Sequence, residues 1–228
     1  MNAEPPRTDR RTAPVRVRER LRQDILSGHA APGARLVVAA LARRYGTSAM
    51  PIRAALQELQ GQGLVTVHPH QGARVRTIDA AWIADVYELR GAVLGALLPR
   101  CVRFASDADL DAIAILAAAF EAAVARRDLA RILETNRRFH HAIYALARNA
   151  EALAVMDRTW LLVDALRMRL GFGPGRLDTA LRVHADMLAA LRRRDAKAAL
   201  RLFRTASDAA MRDLIALATA GQGGQIPR

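Results

Sequence analysis

The stretch from Val37 to Arg76 constrains this chain most, because its apolar spacing changes from helical to strand-like with a turn residue at each change. Val38, Leu41, Ala42 and Tyr45 recur at a helical period, and the run stops at Gly46, a residue that closes helices without strain. Ser48 stands where an N-cap accepts a backbone N–H, and Ile52, Leu56 and Leu59 fall on one face of a helix beginning just after it. Gly61 and Gly63 end that helix. Leu64-Val-Thr-Val67 and Ala73-Arg-Val-Arg76 alternate as strands around His68-Pro-His-Gln-Gly72, which predicts a hairpin. Helix, tight turn, helix and hairpin together make a winged helix-turn-helix.

The second helix leaves a face to meet something else. Ser48 at its start, then Ala49, Met50, Arg53 and Gln57, form a short side-chain set suited to a major groove, where Arg reads guanine and Gln reads adenine. Arg43, Arg44, Arg74 and Arg76 are placed to meet phosphates, which position a protein without reading sequence. The formal charge is +13, and residues 1–78 hold 13 arginines against five acids, the rest 22 basic residues against 17 acids. A basic N-terminal third favours DNA through counterion release. Only Lys197 among the 35 basic residues is lysine, so a compositional bias toward arginine is the other reading of that charge.

At these residues the chain resembles GntR-family transcriptional regulators. The carrying positions are Ile25-Leu-Ser-Gly28, Pro32-Gly33, Leu36, Leu41-Ala42, Gly46-Thr-Ser48, Pro51-Ile-Arg53, Ala55-Leu56, Leu59, Gly63-Leu-Val65 and Gly72. The resemblance implies a bacterial dimeric regulator whose second motif helix lies in the major groove of a double-stranded operator and whose wing glycine, Gly72, approaches DNA closely. Three positions depart from the family pattern: Ala39, Ala49 and Ala54 stand where two arginines and a glutamate are usual. Arg53 alone keeps its expected place among the operator-contacting arginines.

From Asp79 onward the pattern predicts long amphipathic helices over 79–104, 107–126, 128–148, 150–170, 176–193 and 195–219. Their breaks fall at Ser106-Asp107, Asp128, Asn149 and Gly171-Phe-Gly-Pro-Gly175. The fold class expected is mainly α: a winged helix-turn-helix over 15–78 followed by an all-α six-helix bundle over 79–220, with a disordered arm at 1–14 and a flexible tail at 221–228. Aromatics are 4% of the chain, so the core rests on Leu, Ala, Val and Ile. The single cysteine, Cys101, excludes an internal disulfide framework and reads as an inert core residue. No apolar run reaches the roughly 18 residues of a membrane span, and the start lacks the apolar segment of a signal peptide, so a cytoplasmic protein is expected.

The bundle carries one polar constellation. Asn136 and His140 lie i,i+4 on one helical face, and His184, like them, is flanked by apolar residues. This half resembles the FCD effector-binding domain of the FadR subfamily, in its six-helix VanR-like branch, through Asp85-Val-Tyr-Glu-Leu-Arg90, Asn136-Arg-Arg-Phe-His140 with Asn149, and Val183-His184 with Leu188, Leu191 and Asp195. The resemblance implies a divalent metal such as zinc on Asn136, His140 and His184, with a small carboxylate effector beside it and Arg90 facing the pocket. The third histidine of the pattern is expected near residue 206, where this chain has Ala206, followed by Ser207 and Asp208. Two histidines and an amide are a poor set for zinc unless Asp208 substitutes. The other reading makes His140 and His184 hydrogen-bonded core or pocket residues. For Arg90, capture of a carboxylate stands beside an internal ion pair. His29, His68, His70 and His141 read as surface residues, and Arg137 and Arg138 as a solvated face.

The function expected is ligand-controlled DNA binding by a homodimer, with repression implied by the resemblance and a small molecule in the bundle shifting the population of DNA-competent states. A helical protein-interaction module is the alternative. A metalloenzyme is a third reading, and the chain has no HExxH or comparable paired-carboxylate motif to support it.

Overall fold

Three apolar residues one helical turn apart begin the first unit: Val17, Leu21 and Ile25 are buried along α1 (Ala13–Leu26), which packs on α3. The computed structural model describes residues 13–26, 28–68 and 72–222 and divides into two units, Met1–Thr77 and Ile78–Arg228. Ala13 and Pro14 were expected in the arm but open α1, where proline is tolerated because a first-turn N–H has no helical partner. Residues 1–12 of that arm lie outside the described residues.

The first unit continues with β1 (Arg35–Leu36), α2 (Val38–Tyr45), α3 (Ala49–Gly61), β2 (Val65–His68) and β3 (Gly72–Val75). Gly46 adopts the left-handed conformation (φ 63°) that closes α2, and the N–H of Thr47 returns to the carbonyl of Ala42. The strands form an antiparallel sheet in the order β1-β3-β2, with Leu36 opposite Ala73 and Val65 opposite Val75. Along β3, Ala73 and Val75 point inward while Gly72 and Arg74 face out, the alternation the sequence shows. β1 was not expected, because two residues are too few for an alternating pattern to register.

The second unit is an all-α assembly of six helices among the described residues: α4 (Ala80–Phe104), α5 (Asp107–Ala125), α6 (Leu129–Ala145), α7 (Ala150–Leu170), α8 (Arg176–Arg192) and α9 (Ala196–Gln222). Their starts are set by side chains that accept orphan backbone N–H groups: Asp79 from Trp82, Asp128 from Arg131, Asn149 from Ala152 and Asp195 from Ala198. Ser106 and Asp109 make a reciprocal capping box at α5. Each of Arg127, Arg148 and Arg194 takes a left-handed φ immediately before such a cap, a position usually given to glycine or asparagine. Arg194 offsets that strain by donating to the carbonyls of Val102 and Ala105 and to Asp107. Gly221 and Gln222, expected in the tail, belong to α9.

α4 packs on α9 and α7, α5 on α6 and α8, and α8 on α9, around a core that includes Leu94, Leu97, Leu98, Phe139, Tyr144, Met156, Met187 and Leu214. Cys101 lies in this core, and burial pushes its thiol up to about 12, so it is inert as expected.

Candidate functional site

α3 presents two faces with opposite fates. Ile52, Ala55, Leu56 and Leu59 are buried, whereas Ser48, Met50, Arg53 and Gln57 are exposed, Met50 to 73%. Ser48 occupies the N-cap position with extended backbone, yet its hydroxyl makes no capping bond. Arg43 is exposed. Arg44 is half-exposed and pairs with Asp24 at 3.0 Å, and Asp24 also accepts from the Tyr45 hydroxyl. Arg74 projects from β3 and donates to the carbonyl of Gly33. Gly72 opens β3 with a left-handed φ of 80°. The hairpin tip at 69–71, including His70, and the side chain of His68 lie outside the described residues.

In the second unit the polar residues singled out by the sequence converge on one cavity. α6 contributes Leu133, Asn136, His140 and Tyr144, spaced to line a single helical face, and α8 contributes Arg176, Ala180, Val183 and His184 in the same way. α4 adds Tyr87 and Arg90, α7 adds Trp160, Val163, Asp164 and Arg167, and α9 adds Phe203, Ala206, Ser207 and Ala210. His184 Nε2 lies 3.1 Å from Asn136 Oδ1, and the His140 and His184 rings meet edge to face at 5.2 Å between centroids. With the Asn136 oxygen as acceptor, His184 donates from Nε2, and its buried Nδ1 has no protein partner. His184 is further held between Phe120 and Phe139, and His140 stacks on Trp160.

Three arginines border the cavity, and their situations differ. Arg167 is satisfied: it pairs with Asp213 and donates to the carbonyls of Gly171 and Ala210. Arg90, 4% exposed, donates to Thr159 Oγ1 at 3.0 Å and lies 4.2 Å over the Trp160 ring, but its Nε has no acceptor. Among the described residues no carboxylate pairs with it, so the internal ion pair considered for Arg90 is not formed. Arg176, the first residue of α8, leaves both Nε and Nη1 buried without an acceptor, and burial lowers its pKa, with Arg167 adding to the effect. Arg176 was missed at the sequence level, although it lies eight residues before His184 and therefore on the same helical face.

These cations and the burial act on the histidines. Burial first, then His184, Arg90 and Arg176, hold His140 well below its ordinary pKa, and burial with Arg176 pushes His184 down to about 3. Both imidazoles are neutral at ordinary pH. What surface His140 exposes faces the cavity it lines.

The metal implied by the resemblance does not fit this donor set. Asn136, His140 and His184 are brought together, but position 206 is an alanine at the cavity wall and Asp208 is exposed on α9 rather than lining it. Among the described residues no three His, Cys, Asp or Glu side chains are grouped to hold an ion. Two guanidinium groups near the same imidazoles oppose a further positive charge. Of the residues read as surface groups, His141 pairs with Asp157, Arg137 lies 3.7 Å from Asp164, and Arg138 lies 3.9 Å from Glu134.

A winged helix-turn-helix in one unit and an all-helical, cavity-bearing second unit define a ligand-responsive class of DNA-binding protein. The model described as bacterial regulatory proteins, gntR family, matches residues 14–75, and that described as FCD domain matches residues 85–209, more than half of the chain. The chain belongs to the gntR family, in the group that carries an FCD domain. The HTH-type transcriptional repressor RspR of Escherichia coli (strain K12) is 26% identical over 178 residues, 78% of each chain. An uncharacterized HTH-type transcriptional regulator of Agrobacterium vitis, in the TAR-I ttuE-ttuC' intergenic region, is 32% identical over 119 residues, 51% of this chain and 70% of that one. In fold, E. coli McbR/YncC matches with a TM-score of 0.69 at 22% identity, over 93% of this chain and 99% of that one. The protein is therefore a DNA-binding transcriptional regulator with an effector-binding domain, and not an enzyme. No described helix is long and apolar enough to cross a membrane.

Proposed function

We propose that the protein is a cytoplasmic, homodimeric repressor whose grip on a pseudo-palindromic operator is released by a small molecule bound in the FCD cavity. The observation that carries this reading is the charge-lined cavity at Asn136, His140 and His184 within the FCD unit of a chain whose winged domain exposes a polar helix face. In this reading α3 enters the major groove. Arg53 and Gln57 read base edges, Met50 supplies apolar contact, and the free hydroxyl of Ser48 with Arg43, Arg44, Gly72 and Arg74 meets the backbone.

The ligand acts by binding one of two spacings of the paired recognition helices better than the other, because an equal affinity for both shifts nothing. RspR, 26% identical, carries the name of a repressor, which supports the sign chosen here. The test is selection of binding sites from a pool of random DNA duplexes by the full-length chain. The expected result is a two-fold symmetric consensus with half-sites about one helical turn apart. Enrichment of no sequence, or of a single half-site bound by one chain, overturns the dimeric operator model.

A further inference from the structure

The cavity described above has a charge that the protein itself does not complement. Arg167 pairs with Asp213, and Asp164, a carboxylate of the same cavity, lies 3.7 Å from Arg137, whereas Arg90 and Arg176 form no ion pair among the described residues. Three of their N–H-bearing nitrogens, Arg90 Nε and Arg176 Nε and Nη1, are buried with no acceptor. A buried guanidinium left without acceptors costs stability, and a chain can carry that cost where a ligand supplies them. The element that repels a cation from this place is the same one that attracts an anion.

We propose that the cavity binds a small carboxylate directly through the guanidinium groups of Arg90 and Arg176, without a metal ion. This deepens the effector reading given above and rests on it for its regulatory meaning. Guanidinium matches carboxylate in geometry as well as charge, since its planar fork offers two parallel N–H bonds. The two arginines come from different helices, α4 and α8, so an anion between them ties those helices together. Ala206 fits the same account, because a metal ligand at that position has no use once arginine takes the acid.

Size narrows the class further. The cavity volume is about 70 Å³, which at roughly 10–15 Å³ per water-sized group admits a handful of heavy atoms. Short mono- and dicarboxylates of about two to four carbons suit that space. Phe172, Val183 and Phe203 leave an apolar wall for a short carbon chain.

The test uses full-length protein dialysed against a chelator. Acetate, malonate, succinate and glutarate are titrated by calorimetry, with succinamide as the uncharged control and zinc and manganese salts added separately. The expected result is binding of at least one carboxylate in the presence of chelator, no binding of succinamide, and a loss of tenfold or more in affinity for Arg176→Gln. Arg176 opens a helix and is partly exposed, so the variant is expected to fold, which circular dichroism checks. Arg176→Lys, which keeps the charge but not the fork, is expected to retain part of the affinity.

Binding that appears only after metal is added, binding unchanged in Arg176→Gln, or no binding by any of the four acids overturns the proposal. The selected duplex gives the separate readout. A carboxylate that binds through Arg176 yet leaves duplex affinity unchanged sinks the effector reading while the anion site stands.

Discussion

Arg53 holds a place that its neighbours have abandoned. The family pattern gives arginines at three positions of the winged motif, and here two of them are Ala39 and Ala49. In the proposed docking, base reading on α3 therefore rests on one long cation, with Gln57 one turn further along the same exposed face. Arg53→Ala is expected to cost about 1–3 kcal/mol in binding to the selected duplex and to relax selectivity at one base pair. Arg43→Ala should instead weaken all sequences alike and flatten the salt dependence by about one counterion. Fluorescence anisotropy with cognate and scrambled duplexes over a salt series separates the two, and equal losses on both duplexes for Arg53→Ala would remove it from base readout. The residue scale was only half legible in the sequence. Asn136, His140 and His184 could be named because their types are rare and their spacing is helical, whereas Arg176 is one arginine among 34. What distinguishes Arg176 is the cavity beside it, and that depends on how α8 packs against α6 and α9.

The loop between α7 and α8 decides where that arginine stands. Gly171-Phe-Gly-Pro-Gly175 turns the chain with positive φ at Gly171 and Gly175, and the N–H of Gly173 donates to Asp213 Oδ1 of α9 at 3.1 Å. A Cβ on Gly173 would overlap that same oxygen, so a larger residue there must push the Asp213 carboxylate aside. Gly173→Ala is expected to displace Asp213, loosen its pair with Arg167 and cost about 1–3 kcal/mol. In calorimetry it should also weaken carboxylate binding, because Arg176 follows the loop by one residue. An unfolding free energy in urea equal to that of the parent protein argues against this anchor. Helix limits were legible at this scale because caps are local: Ser106, Asp128 and Asn149 mark starts in the sequence as they do in the structure. β1 was hidden, since its two residues form a strand only because Arg35 and Leu36 pair with β3.

Across the whole molecule, burial of neutral histidines sets an acid limit on stability. His184 is pushed down to about 3 and His140 also lies well below its ordinary value. They are faced by Arg90 from α4, Tyr144 from α6, Trp160 from α7, Arg176 from α8 and Phe203 from α9. Unfolded histidine titrates near 6.5, so between about 3 and 6.5 the unfolded chain binds more protons and stability falls as pH falls. The contribution is whole above pH 7, and lowering the pH from 7.5 to 5.5 is expected to remove roughly 2–3 kcal/mol for the pair. Urea midpoints at the two pH values check this, and His184→Gln should shrink the difference; a midpoint that does not move contradicts it. The apolar period changes near residue 78, where the chain also divides into two compact units; a period is a property of long stretches and survives ignorance of packing. Asp213 pairs directly with Arg167, while Arg90 and Arg176 form no ion pair among the described residues. The proposed anion site is expected to take phosphate or sulfate as well, so an effector constant measured in those buffers should report an exchange of anions and change with the buffer.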